Sequence, residues 1–267
     1  MRLRGIPPDT SALSTALPRS LPGGRVGALL IHGFTGTPRD LATLGSRLQG
    51  SGLTVSIPRL PGHGTNGRDF LQSGWRDWLR ASVDAYADLK ARCETVHLVG
   101  FSMGGVIAVL LAARFPVRRL VLLAPALRTR NPLLALTPFM KLFIRRMRWP
   151  YAPKEGFDDP DSAVLAREYW EWRYSSQAAS LLHMKRMARR SLSKVKADTL
   201  TIVGDADLSV PVSVILLIEQ KISAARKRHL VIENGEHLIL AGEQGERVAA
   251  EVVRWLVEPV SPAGQGA

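Results

Sequence analysis

Residues His97–Gly105 read HLVGFSMGG: an apolar run, a serine set among glycines, then the start of a second apolar run. Apolar residues that are continuous rather than alternating suit a strand buried on both faces. From Met103 to Phe115 the pattern turns helical. The stretch therefore predicts strand, sharp turn and helix, with Gly100-Phe101-Ser102-Met103-Gly104 matching G-x-S-x-G across the turn. A serine held in a strained turn leaves no room for side chains two positions away, and glycines supply that room. Its hydroxyl then stands clear of the sheet, and the N–H of Met103, at the start of a helix, points into the same space. Ser102 is thus a candidate nucleophile. The plainer alternative is a helix N-cap, and partners elsewhere in the chain distinguish the two.

Apolar runs of the same kind recur at 26–33, 53–58, 119–125, 199–205 and 228–234. Helical patterns lie between or after them at 38–49, 75–92, 211–222 and 244–257. Strand–helix alternation of this kind predicts an α/β fold with a mostly parallel sheet covered on both faces. The interval 127–197 breaks the rhythm, with about 70 residues where other strands are linked by about 20. A structureless loop of that length does not suit a compact domain. Helical stretches at 138–149, 161–174 and 180–192 predict instead a small helical cap over 127–197, inserted into a core domain formed by 1–126 and 198–267.

The composition narrows the function classes. The 267 residues, 46% of them hydrophobic, are enough to bury a core, and no apolar run reaches membrane-spanning length. A single cysteine, Cys93, excludes an internal disulfide, and residues 1–24 lack the continuous apolar segment of a secretory signal. A cytoplasmic protein is expected. The net charge of +13 is concentrated in 127–197, which holds 15 Lys/Arg against 6 Asp/Glu. Trp149, Tyr169, Trp170, Trp172 and Tyr174 are interleaved with these cations, but no nucleic-acid motif accompanies them and no nucleic-acid partner is expected.

A serine hydroxyl needs a base, and the base needs an orienting carboxylate. On this kind of fold they follow the serine in the order acid, then histidine, past the carboxyl ends of later strands. Three histidines follow Ser102. His183 lies in a basic helical run and His229 at the start of a strand, whereas His237 in VIENGEHLIL falls in the loop after one. For the acid, TIVGDADLSVP offers Asp205 and Asp207, and spacing favours Asp207 only mildly. On the other side of the serine, LLIHGFTGTPRDL ends a strand with His32-Gly33, and the loop can aim the Phe34 N–H beside that of Met103. His32 and His63 precede the serine and read as structural histidines that shape their loops, and His97 as part of the sheet.

HGFTGTP, PGHG, GFSMGG, GDADLSVP and GEHLIL, in this order over residues 26–257, resemble the α/β-hydrolase superfamily, in particular its bacterial carboxylesterase and monoacylglycerol lipase branch. The resemblance implies a six- to eight-stranded sheet with a helical cap, a Ser102–Asp207–His237 triad and an oxyanion hole formed by the backbone N–H groups of Phe34 and Met103. It also assigns the acid, because the G-x-x-D-x-x-V-P pattern falls on Gly204, Asp207, Val210 and Pro211. Two departures stand out. Glu236 occupies a position that usually carries a small residue, and is expected to face solvent. The short N-terminal stretch leaves little room for two antiparallel strands, so six or seven strands are expected rather than eight.

The implied reaction is hydrolysis of short- to medium-chain acyl esters through an acyl-enzyme, with no cofactor and no metal; no residue cluster has zinc-ligand spacing. Phe139, Phe143 and Ile144 are candidate acyl-pocket residues of the cap. The basic, apolar run PFMKLFIRRMRWP suggests contact with an anionic membrane surface. A thioesterase or a carbon–carbon bond hydrolase would use the same triad and is the alternative.

Overall fold

In the computed structural model, which describes residues 11–149 and 159–258, the chain runs β1 (Arg19–Leu21), β2 (Val26–Ile31), α1 (Ala42–Gly50), β3 (Thr54–Ile57), α2 (Gly67–Phe70), α3 (Trp75–Arg92), β4 (Thr95–Phe101), α4 (Met103–Ala112), β5 (Arg119–Leu123), α5 (Thr137–Met140), β6 (Arg146–Arg148), α6 (Pro160–Leu165), β7 (Trp172–Tyr174), α7 (Ser175–Ser191), β8 (Asp198–Gly204), α8 (Val214–Lys221), β9 (Lys227–Ile232) and α9 (Gly242–Val257). Among the described residues, seven strands form one sheet in the order β1-β3-β2-β4-β5-β8-β9. Six of them are parallel, and β1 alone pairs antiparallel, Arg19 opposite Ile57. β1 was not among the expected strands, because three residues, two exposed and one half-buried, carry no apolar run. No helix among the described residues is long and apolar enough to cross a membrane.

Burial follows from what covers each face. Val96 and Leu98 of β4 join the cluster beneath α3, α4 and α8, while Val99 and Phe101 join the one beneath α1 and α9. α3 buries Trp78, Ser82, Tyr86 and Leu89, one stripe at helical spacing, and opens with Asp77 accepting from the Gly74 N–H at 2.9 Å. α4 is buried almost all round. The sheet covers one side of it, and Leu181, Met184 and Ala188 of α7 share the cluster on the other. The interval 127–197 therefore closes no core of its own, since its last helix belongs to the main one.

The rest of the interval differs from the all-helical expectation. Within 138–149 only the end of the four-residue α5 is helical. Arg146–Arg148 is strand, paired antiparallel with Trp172–Tyr174. Arginine and tryptophan hold this ribbon together, Arg146 lying 4.1 Å from the Trp172 ring centroid and Arg173 5.0 Å from that of Trp149. Within 161–174 the helix stops at Leu165 and widens, Glu171 N–H reaching Ala166 O at 2.9 Å, five residues back. That wide turn buries Tyr169, whose hydroxyl accepts from Thr65 N–H at 2.8 Å and donates to Gly62 O at 2.9 Å. Beside it, Asp159 caps α6 and pairs with Arg39, while Asp161 accepts from the Ser14 and Thr15 hydroxyls at 2.9 and 2.8 Å. This half of the insertion is fastened to the sheet domain.

Candidate active site

Ser102 joins β4 to α4 with φ 52° and ψ −112°, a conformation costly for any residue with a Cβ. Its neighbours hold it there. The Ser102 N–H donates to Leu123 O at 2.8 Å, and Ser102 O accepts from Ala126 N–H at 3.1 Å. The glycines have the steric role expected of them: a methyl at Gly104 would lie 1.9 Å from Ile31 O, and one at Gly100 2.4 Å from Gly104 O. Ser102 as a whole is 8% exposed, a largely buried residue at the carboxyl edge of the sheet.

Two later loops reach that hydroxyl. His237 follows β9, and its Nε2 lies 3.0 Å from Ser102 Oγ. Its Nδ1 lies 2.7 Å from Oδ2 of Asp207, which is buried in the loop after β8. Asp207 Oδ1 accepts from the Ser209 and Val210 N–H groups at 2.6 and 2.8 Å. Burial works to raise the Asp207 carboxyl, but the His237 hydrogen bond, the imidazole charge and these two N–H groups overcome it and hold it below the usual value. An ionised Asp207 accepts the Nδ1 proton of neutral His237, which leaves Nε2 as the acceptor facing the serine. The loops meet because Gly204 and Gly235 touch, backbone on backbone; a methyl at Gly204 would lie 1.9 Å from Gly235 O. Asp205 is exposed, with its N–H bound to Ile232 O, so the structure brings Asp207 and not Asp205 to the histidine. Glu236 is exposed, as expected.

The loop after β2 lies against the same serine, a methyl at Gly33 falling 3.3 Å from Ser102 Cβ. Gly36 N–H closes the turn onto Gly33 O at 3.2 Å, with Thr35 at φ 58°. The Phe34 ring is anchored edge-on to Phe70 and Trp78. Met103 N–H belongs to the first turn of α4, and among the described residues neither it nor Phe34 N–H has a protein acceptor. Beneath the loop, His32 Nδ1 donates to Gly33 O at 3.0 Å and Nε2 accepts from Leu60 N–H at 3.2 Å. His63 packs edge-on at 5.0 Å. Burial lowers His32 to about 4 and His63 well below its usual value, so both are neutral braces. His183 sits on α7 against Trp75, and His229 pairs with Glu219, both in other contacts.

The cap candidates are placed differently from expectation. Phe139, Phe143 and Ile144 are 67%, 74% and 40% exposed, and the two rings lie 5.4 Å apart on the surface. Among the described residues they enclose no acyl pocket, because the short α5 and the turn after it carry them outward. A residue not anticipated from sequence is Arg130, whose Nε donates to the Asp207 carbonyl at 2.9 Å.

Strand order, strained serine and Ser–His–Asp hydrogen bonds are together those of an α/β hydrolase. Residues 28–251 match the alpha/beta hydrolase family, and the chain belongs to it. It is 32% identical over 230 residues to the thermostable monoacylglycerol lipase of Bacillus sp. (strain H-257), covering 85% of this chain and 88% of that enzyme. It is 34% identical over 108 residues to a carboxylesterase of Bacillus subtilis (strain 168), covering 40% and 44% of the two chains. A solved structure from work on LipS and LipT, two metagenome-derived lipolytic enzymes, superposes with a TM-score of 0.83 at 28% identity, covering 92% of this chain and 99% of that one.

Proposed function

We propose that this chain is a carboxylic ester hydrolase of the carboxylesterase or monoacylglycerol lipase type, acting on short- to medium-chain acyl esters. The observation that carries the reading is the hydrogen-bond line from Ser102 Oγ through His237 to Asp207, at 3.0 and 2.7 Å, beginning on a strained serine. His237 Nε2 takes the Oγ proton as Ser102 attacks the acyl carbonyl, and the Phe34 and Met103 N–H groups receive the oxyanion. His237 then returns the proton to the leaving alcohol. Water, deprotonated by the same nitrogen, attacks the acyl-enzyme and releases the acid. Asp207 keeps the tautomer and stabilises the imidazolium. The names and coverage of the relatives support an ester as the scissile group.

A p-nitrophenyl ester series on the purified protein tests this, with a thioester of matched acyl length as comparison. Ser102→Ala is expected to abolish turnover and fluorophosphonate labelling. Turnover that survives in that variant overturns the assignment.

The exposed cap surface supports a second part of the reading, contact with an anionic membrane. Leu133, Leu136, Phe139, Leu142, Phe143, Ile144, Met147 and Trp149 are all exposed there, interleaved with Lys141, Arg145, Arg146 and Arg148. Each cation near an anionic leaflet contributes about 1 kcal/mol, and each buried large apolar side chain about 1.5–3 kcal/mol. Co-sedimentation with phosphatidylserine-containing vesicles is expected and should weaken with salt. No binding, or binding indifferent to salt, excludes the electrostatic contact.

A further inference from the structure

We infer that Arg130 is a positioning residue of the triad, holding the acid loop in register through the main chain of Asp207. The inference rests on the proposed role of Asp207. After Leu127 the chain bonds through Arg128 and Arg130 to carbonyls of the segment between β8 and α8 that carries the acid. Arg130 Nε donates to Asp207 O at 2.9 Å, and Arg130 N–H donates to Ser209 O at 2.9 Å. Farther along, Arg128 Nη1 donates to Ser213 O at 3.3 Å. The Asp207 carboxylate closes the same loop from inside, accepting from Ser209 and Val210 N–H. The acid loop is therefore gripped from within by its own carboxylate and from without by Arg130. Remove the side-chain bond and the Arg130 N–H still holds Ser209 O, but the Asp207 carbonyl loses its anchor and the residue can turn its carboxylate away from His237 Nδ1. The other end of the tie is also fixed, since Lys185 Nζ of α7 donates to Thr129 Oγ1 at 2.7 Å. The root of the cap and the orientation of the base are thereby mechanically joined.

A displacement of a catalytic group by about 1 Å costs up to about 100-fold in rate, so Arg130→Met is expected to lower kcat on p-nitrophenyl butyrate by about 10- to 100-fold with KM little changed. The far-downfield proton resonance of His237 Nδ1–H, hydrogen-bonded to Asp207, is expected to broaden or vanish in Arg130→Met. It should persist in Arg128→Met, whose bond lies farther from the acid. Arg130→Lys, which keeps a cationic donor, is expected to restore the resonance and most of kcat, and serves if Arg130→Met does not fold. Retention of both kcat and the resonance in folded Arg130→Met overturns the inference. So does an equal loss in Arg130→Lys and Arg130→Met, or a fall in thermal stability with the resonance intact. Fluorophosphonate labelling of Ser102 in the unmodified protein tests the underlying triad separately. If labelling and turnover are present, failure of the Arg130 predictions falls on Arg130 alone.

Discussion

Asp207→Asn is the most discriminating single substitution, because the surroundings dictate which way the new amide must face. Oδ1 of Asp207 accepts from Ser209 and Val210 N–H at 2.6 and 2.8 Å. An amide NH2 placed there would confront two donors, so the asparagine carbonyl keeps that side and its NH2 faces His237 Nδ1. Nδ1 must then accept, and the single proton of neutral imidazole moves to Nε2, the atom 3.0 Å from Ser102 Oγ. A protonated Nε2 cannot take the serine proton. The shape of the residue is unchanged, so the loss falls on chemistry rather than on folding. We expect kcat to fall by about 10⁴-fold, equivalent to about 5.5 kcal/mol. Steady-state hydrolysis of p-nitrophenyl butyrate reads the loss, with thermal unfolding as the control for structure. A folded Asp207→Asn protein within about tenfold of normal kcat refutes the tautomer argument and the role given to Asp207.

Further predictions follow from the strain, close contacts and buried imidazoles around the site. Ser102→Gly is expected to melt higher than Ser102→Ala, reversing the usual order, because only glycine relaxes at φ 52°; differential scanning calorimetry reads the sign, and the ordinary order would mean that the serine is unstrained. Gly204→Ala forces a methyl to 1.9 Å from Gly235 O; it should part the acid and histidine loops and remove esterase activity even where circular dichroism shows a folded sheet. His97, buried beside Arg119 and Arg118, is lowered from 6.5 to about 4, by burial first and then by those cations. Its folded value lies below its unfolded one, so its neutral form adds stability fully above pH 6.5 that is lost as the pH falls towards 4. At 1.36 kcal/mol per unit this amounts to on the order of 3 kcal/mol. His97→Leu should flatten denaturant-derived stability between those limits, and an unchanged slope would place the acid sensitivity elsewhere, with His32 and His63 the next residues to vary.

Much of the sheet was legible because its strands are buried on both faces, which leaves continuous apolar runs such as LVLL in β5. Ser102 was legible through Gly100 and Gly104, whose absent side chains record how closely Ile31 O and Gly104 O approach. Spacing favoured Asp207 over Asp205 only mildly, and the superfamily's pattern was needed to assign the acid. What escaped was structure made by contacts that leave no residue-type signature. β1 is three residues, two exposed and one half-buried, with no pattern of their own. The β6–β7 ribbon forms across a gap of more than 20 residues in sequence, from segments with helical composition. Arg130 works on carbonyl oxygens, which every residue has, so no motif announces it. Nor did sequence show that all the non-glycine residues with positive φ among those described, Thr35, Ser102, Ala124 and Asn234, follow strand ends at this rim of the sheet. Phe139, Phe143 and Ile144 read as acyl-pocket residues from their apolar spacing, whereas among the described residues they stand exposed.

The division of the insertion into an outer part and a helix that completes the main core sets where the gene tolerates recombination. An exchange of residues 127–197 for the corresponding piece of a relative would remove Leu181, Met184 and Ala188 from behind α4, the helix whose first residue is Met103. Such a chimera would disturb the packing that supports Ser102 while ostensibly changing only the insertion. A junction just before Ser175 leaves that helix in its native seat. The ribbon and α5 can then be exchanged while the floor beneath Ser102 is inherited unchanged.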